Sequence, residues 1–386
     1  MRILIVSTLK RRVGPDIFAS RSRIIYQLSE GLAKRGHEVS LLGTADSQIP
    51  GVNIIPVLDK GWVDLPPAEN DFQRDVASLI KQSKMIVDLQ ESFDVVHTHT
   101  NPEFLPITIS KELKIPMVTT FHSLYTDYID ELLSFYPENN RIVALSNAYK
   151  KLYSKTTITD VVYNGVDSSL YKYKEQKQDY LLWVGRLARG KKDNGEYIDQ
   201  KGVKWAIQLA EQTNSALLMA GPCEDINFFN KDVKPHLNDK IQWVGEISSE
   251  QSLPVEKVVD LMQNAKAFLM TVNQEEPFGL VMAEAMACGT PVIAFNRGAV
   301  SEIIRDGLTG FIVDPDAQIS KPAEEMWIVK KTGLDGLCEA VERIYLMSES
   351  ESRQMHENCR KRVEENFTIE KMVENYEKVY QEAITK

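Results

Sequence analysis

Short β-rich runs alternate with amphipathic, helix-length stretches from one end of this chain to the other, a pattern that favours parallel sheets wrapped by helices. In the first half the alternation predicts strands at Ile3–Ser7, Glu38–Gly43, Asp94–His97, Pro116–Phe121 and Arg141–Leu145. The first helix is expected from about Ser20 to Arg35, where Ile24, Ile25, Leu28 and Leu32 form one stripe and Gly36 supplies a stop. After the turn pair Asn164-Gly165 and the polar segment Lys172–Asp179 the pattern restarts. It predicts strands at Tyr180–Val184, Ala216–Ala220, Lys240–Val244, Ala267–Val272, Pro291–Phe295 and Gly310–Val313. The reading is α/β, with an N-terminal Rossmann-like domain over 1–170 and a C-terminal one over 171–365. The tail, 366–386, carries Met372, Val373, Tyr376, Val379 and Tyr380 at helical spacing, so a helix packing back on the first domain is expected.

Composition narrows the function classes. Apolar and charged fractions of 43% and 26% describe an ordinary globular protein. The opening MRILIVSTLKRR places a short apolar run before its basic residues, which is neither the order nor the length of a signal peptide or a membrane span. Cys223, Cys288, Cys338 and Cys359 lie far apart without a CxxC pair, so no disulfide framework or zinc site is indicated and a cytoplasmic setting fits. A net charge of −10 argues against nucleic-acid binding. Within residues 1–36, however, Arg2, Lys10, Arg11, Arg12, Arg21, Arg23, Lys34 and Arg35 face only Asp16 and Glu30. A basic face of that kind suits a phosphorylated acceptor or peripheral contact with an anionic inner-membrane surface; a solvated helix face is the plainer alternative.

Two open α/β sheets bind ligands at the carboxyl ends of their strands, so the informative loops are those that follow strands. One stands out: Glu276-Pro-Phe-Gly-Leu-Val-Met-Ala-Glu284-Ala-Met-Ala-Cys-Gly-Thr-Pro-Val-Ile-Ala294. Pro277 suits the first turn of a helix and Gly279 admits close approach of a ligand to the backbone. The start of such a helix offers unpaired amides and a positive dipole end to a diphosphate. Glu276 and Glu284 then make sense as acceptors for sugar and ribose hydroxyls, because an ionised carboxylate only accepts hydrogen bonds.

The stretch resembles the E-x7-E signature of retaining GT-B glycosyltransferases of the family 4 type, a group that includes sucrose synthases and phosphatidylinositol mannosyltransferases. The resemblance extends to Ile3–Ser7, to Phe93-Asp-Val-Val-His97-Thr-His99, to Asn164-Gly165-Val166-Asp167, to Trp183-Val-Gly185-Arg186-Leu187, and to Ser301–Ile304 with Asp306–Gly310. It implies a GT-B fold, two Rossmann-like doubly wound domains facing across a cleft. It also implies a nucleotide-sugar donor, a UDP- or GDP-sugar, with no further cofactor. Glu276 would contact hydroxyls of the transferred sugar, Glu284 the ribose, the Phe278–Gly279–Leu280 backbone the donor, and Arg186 the diphosphate. His122, closing the strand Pro116–Phe121, would hydrogen-bond a donor-sugar hydroxyl as a positioning group.

Three departures qualify the match. An insertion over 188–200 separates Arg186 from Lys201-Gly202, the pair that opens a helix in the family; Lys191 has the customary spacing and Lys201 the customary context, and Lys201 is preferred. The early glycine-rich loop is reduced to Gly14-Pro15, leaving Gly14 as its donor-contacting residue. Tyr163 stands where a proline commonly precedes Asn-Gly-Val-Asp.

Arg186, Lys201 and the helix start are expected to take the place of a metal in stabilising the departing diphosphate. Asp314-Pro-Asp316 has the D-x-D form of metal-dependent enzymes, but it follows the last strand and reads as a turn. His97 and His99 share one strand face and are expected to pack rather than bind metal. No carboxylate pair suited to double displacement can be assigned, so same-face transfer is implied, with the leaving phosphate taking the acceptor proton. The competing readings are a GT-B sugar-nucleotide epimerase and a non-catalytic partner that binds a carbohydrate or nucleotide sugar for another transferase.

Overall fold

The structure is a computed structural model that describes residues 1–17, 19–136, 140–187, 189–249, 253–316 and 327–385. Ala188, which opens the insertion, and Lys386, which ends the tail, lie outside the described residues. The chain divides into two compact units, Met1–Gly165 with Ile369–Lys386, and Val166–Thr368.

The first unit holds a seven-stranded parallel sheet: β1 (Arg2–Val6), β2 (Glu38–Thr44), β3 (Val52–Leu58), β4 (Val95–Thr98), β5 (Met117–Thr120), β6 (Asn140–Ala144) and β7 (Asp160–Val161), in the order β3-β2-β1-β4-β5-β6-β7. β1, β4 and β5 are buried nearly end to end, as strands covered on both faces must be. β3 and β7 are additions to the strands expected. β3 was hidden because Pro56 interrupts its apolar run; Pro56 is tolerated because β3 is an edge strand paired only with β2. β7 has only two residues, too few to show a period. In this unit the Ile369–Ile384 helix buries the predicted stripe of Met372, Val373, Tyr376, Val379 and Tyr380. It lies against the Ser20–Lys34 helix and reaches β4 and β5.

The second unit repeats the plan with β8 (Leu181–Val184), β9 (Leu217–Ala220), β10 (Ile241–Trp243), β11 (Ala267–Met270), β12 (Val292–Phe295) and β13 (Gly310–Val313), ordered β10-β9-β8-β11-β12-β13. Every pairing is parallel. In both sheets the chain runs outward from its first strand in one direction and then in the other, so strand order reverses beside β1 and beside β8. Such a reversal leaves a crevice at the carboxyl ends of the two central strands, here β8 and β11 in the second unit. The Leu280–Ala287 helix following β11 is buried from Met282 to Ala287 and packs on the Glu349–Asn366 helix.

Candidate active site

In the second unit the strand reversal brings together the two segments that follow β8 and β11. After β8 the chain passes Arg186, runs through the insertion and arrives at Lys201-Gly202, where the Val203–Thr213 helix begins. After β11 it runs from Thr271 to Gly279, where the Leu280–Ala287 helix begins. Lys201 Nζ lies 2.7 Å from Glu276 Oε2, with the two side chains 27% and 12% exposed.

Hydrogen bonds lace these segments together. Asn273 donates from Nδ2 to the Asp199 carbonyl at 2.7 Å and from its backbone amide to the Gln200 carbonyl at 2.9 Å. Thr271 Oγ1 donates to the Gly202 carbonyl at 2.7 Å. Gly202 has φ +73, and a Cβ there would collide with the Thr271 carbonyl, so only glycine lets the two chains pass this closely. Buried Asp199 caps the helix that follows, accepting from the amides of Val203 and Lys204 at 3.0 Å each. Burial raises the Asp199 carboxyl above its ordinary range, partly opposed by these amides. The backbone of Glu276 is held from β12's side, its carbonyl accepting from the Ala299 amide at 2.9 Å.

The insertion is a small hairpin as far as it is described. Lys191 and Tyr197 form an antiparallel bridge, and the Lys191 ammonium sits 4.7 Å from the Tyr197 ring centroid. Lys191 is therefore engaged within the hairpin, whereas Lys201 meets Glu276. Asp199 belongs functionally to the helix start rather than to a loose charged loop.

Arg186 Nη1 pairs with Glu224 Oε1 at 3.1 Å, beyond the end of β9. Phe278 buries its ring against Phe367, centroids 5.7 Å apart, which leaves its backbone as the part available at the helix start. Gly279, at φ +82, is the N-cap and Leu280 the first helical residue. Pro277 consequently precedes the helix instead of occupying its first turn, because the left-handed Gly279 interrupts helical geometry. Glu284 is 3% exposed, one turn further along the buried helix. Asp314 is likewise buried and accepts from Trp327 Nε1 at 3.1 Å, an arrangement that suits a turn.

In the first unit Gly14 lies in the segment between β1 and the first helix, and the atom nearest to a Cβ there would be the mobile end of Arg12, at 2.6 Å. His122 follows β5 at the carboxyl edge of the sheet. Its Nε2 meets His99 Nδ1 at 2.8 Å, and His99 Nε2 meets His97 Nδ1 at 3.2 Å. His97 and His99 are fully buried, and among the described residues no group of three or more His, Cys, Asp or Glu is arranged to hold a metal ion. Burial keeps all three imidazoles neutral: His97 and His122 fall well below the usual value, and His99 is pushed down to about 3, with nearby Arg21 opposing a charge on His99 and His122.

Five of the eight basic residues in the 1–36 segment, Arg2, Arg12, Arg21, Lys34 and Arg35, are paired with acids. Arg2 pairs with Asp94 and Arg35 with Glu377, each at 2.7 Å, Lys34 with Glu30 at 2.9 Å, and Arg12 with Asp16. Arg21 is turned inward onto Glu103 at 2.6 Å. Asp94, Glu103 and Glu377, distant in sequence, are the partners of Arg2, Arg21 and Arg35.

Glu224, Asn273, Ala299 and Glu103 were not singled out from sequence. Glu224, Asn273 and Ala299 each follow a strand of the second sheet, so position after a strand end was their one available signal. Glu103 lies beyond β4 and accepts from the amides of His122 and Ser123 at 3.2 and 3.0 Å.

Two family models match the chain: Glycosyltransferase Family 4 over residues 22–170 and Glycosyl transferases group 1 over residues 172–331. The chain is a family 4 glycosyltransferase. A relative of this glycosyltransferase, N-acetyl-alpha-D-glucosaminyl L-malate synthase of Bacillus anthracis, is 24% identical and covers 93% of this chain and 92% of its own. Sucrose-phosphate synthase from Thermosynechococcus elongatus superposes with a TM-score of 0.74 at 19% identity, covering 100% of this chain and 99% of its own. HepE of Anabaena, solved with UDP and glucose, gives 0.70 at 14% identity, covering 99% and 100%. Both likenesses identify the fold of this glycosyltransferase as GT-B.

Proposed function

We propose that this family 4 glycosyltransferase moves a hexose from a UDP- or GDP-sugar to a hydroxyl acceptor, retaining anomeric configuration and needing no metal ion. The Lys201–Glu276 pair at the β8–β11 reversal, beside the start of the Leu280–Ala287 helix, carries the reading. A sugar diphosphate joins an anion to a ring of hydroxyls, so its recognition calls for a cation and an acceptor as immediate neighbours. Lys201 and Glu276 are such neighbours.

In this scheme Lys201, Arg186 and the helix start hold the diphosphate, Arg186 exchanging Glu224 for phosphate oxygens. Glu276 accepts from hydroxyls of the transferred sugar and Glu284 from the ribose. The family resemblance would add His122 as a contact to a sugar hydroxyl and Gly14 as a contact to the donor. The acceptor oxygen attacks the anomeric carbon on the face from which the phosphate leaves. The carbon–phosphate-oxygen bond breaks, and the departing phosphate oxygen takes the acceptor proton. The charge that grows on the diphosphate is what the fixed cations stabilise.

HepE's capture of UDP and glucose supports a nucleotide-sugar donor. The acceptor is a hydroxyl on a glycan, lipid or small metabolite; the relative named for L-malate supports the last class. Four free thiols suit a cytoplasmic setting, and no helix among the described residues is long and apolar enough to cross a membrane.

The test is binding and hydrolysis of UDP-, GDP- and ADP-sugars in EDTA by wild type, Glu276→Ala and Arg186→Ala, with product anomers read by NMR. One donor turned over with retention, and lost in both variants, is the expected result. No binding at millimolar donor by the folded protein would defeat the proposal.

A further inference from the structure

The three neutral imidazoles of the first unit form a continuous hydrogen-bonded chain that begins on the Ile369–Ile384 helix. Tyr380 Oη lies 2.6 Å from His97 Nδ1, and His97 Nε2 lies 2.8 Å from Thr120 Oγ1. Tyr376 Oη meets the same threonine oxygen at 2.9 Å. From His97 the chain continues through His99 to His122 Nε2. His97, His99, Thr120, Tyr376 and Tyr380 are all fully buried, so water does not scramble the chain. His122 is partly accessible, and its Nδ1 has no hydrogen-bond partner among the described residues.

A neutral imidazole has one N–H and one bare nitrogen, so each link constrains the next. A phenol is a far stronger hydrogen-bond donor than an imidazole N–H, and the Tyr380–His97 contact is the shortest in the chain. Tyr380 therefore donates, which leaves His97 Nδ1 bare and puts the His97 proton on Nε2, toward Thr120. His99 Nε2 shares that bare nitrogen as a second, longer donor at 3.2 Å and must carry its own proton to avoid opposed lone pairs. His99 Nδ1 is then bare and accepts from His122 Nε2–H. His122 Nδ1 is left bare, an acceptor aimed at no group among the described residues.

We propose that Tyr380 is a positioning residue that, acting through His97 and His99, fixes His122 in its Nε2–H tautomer and so presents Nδ1 as an acceptor for a substrate hydroxyl. The substrate part rests on the reading of His122 as a donor-sugar contact; the tautomer part does not. Arg21, Glu103 and Glu377 are charged groups beside the chain, Glu377 acting on Tyr380, and Tyr376 and Tyr380 are its other titratable neighbours. Arg21 and burial both oppose a second proton on His122, which keeps Nδ1 bare near neutral pH.

The experiment is two-bond proton–nitrogen correlation NMR on the ligand-free full chain with labelled histidine, at pH 7.5. His97, His99 and His122 are all expected as Nε2–H tautomers in wild type. In Tyr380→Phe the constraint on His97 is gone, and His122 is expected to populate both tautomers. Tyr376→Phe, which removes an equally buried hydroxyl without touching His97 Nδ1, is expected to leave the pattern unchanged. In the donor assay Tyr380→Phe is expected to lower kcat/KM by about 3- to 10-fold, the weight of one hydrogen bond. A wild-type His122 protonated on Nδ1, or tautomers indifferent to Tyr380→Phe, would overturn the proposal whatever that variant's stability. Failure of every sugar nucleotide to bind would instead remove the transferase scheme and leave the tautomer to the same spectra.

Discussion

Replacing Gly202 by alanine tests whether close passage of two chain segments, rather than backbone freedom alone, dictates glycine after Lys201. Gly195→Ala is the control, since both glycines lie in the second unit with left-handed backbones, at φ +73 and +81. A Cβ on Gly195 would meet nothing within 4 Å, so that substitution costs only the left-handed penalty, about 1–2 kcal/mol. On Gly202 the Cβ would fall inside the Thr271 carbonyl, 2.5 Å from its carbon. Backbone at the end of β11 cannot rotate aside as a side-chain tip can, and forcing it apart adds about 1–3 kcal/mol. Gly202→Ala should then lose about 2–5 kcal/mol in total, summing the two penalties. Urea unfolding followed by tryptophan fluorescence reads both variants, and Trp183 is a local reporter because its Nε1 donates to the Lys201 carbonyl at 3.1 Å. Equal losses in the two variants would refute the close-approach reasoning.

Lys201→Met should weaken binding of the preferred sugar nucleotide by about 10- to 100-fold, the worth of a charge-assisted hydrogen bond, measured by calorimetry; unchanged affinity would exclude Lys201 from the diphosphate site. Asp199→Ala should destabilise the second unit by about 1–2 kcal/mol in urea unfolding, since two amides of the Val203–Thr213 helix lose their acceptor. Acid should weaken the first unit early. Its buried His97, His99 and His122 bind protons less readily folded than unfolded, so their cost is absent above pH 6.5 and grows as pH falls toward the folded value, about 3 for His99. Each imidazole contributes a slope of up to about 1.4 kcal/mol per pH unit, seen as a falling urea midpoint between pH 6.5 and 5. The second unit, with His356 lowered to about 4, should respond less, and a first unit indifferent to this interval would contradict neutral burial.

Strand positions were legible wherever burial on both faces wrote a continuous apolar run, as in β11 and β12. They were illegible where an edge position tolerated Pro56 or where β7 shrank to two residues. Glu276, Gly279 and Glu284 could be picked out because they fall within one short stretch at a helix start, whereas Lys201, 75 positions before Glu276, stood out only by its own Lys-Gly context and the family resemblance. The tail helix showed its buried stripe just as plainly, from Met372 to Tyr380.

Pairing between distant residues was a different matter. Nothing near Arg186 announces Glu224, and nothing near Arg21 announces Glu103, so these ion pairs are set only by folding. Lys191 had the customary spacing from Arg186 and Lys201 the preferred context, and the fold separates them: the hairpin engages Lys191 with Tyr197, and the β8–β11 reversal brings Lys201 to Glu276. The tautomer of His122 depends on a tyrosine 258 positions away, given the numbering of the two residues. Periodicity and residue type act locally and are therefore written in the sequence, whereas charge pairing and proton position depend on distances of a few ångströms that exist only once the parallel sheets have closed.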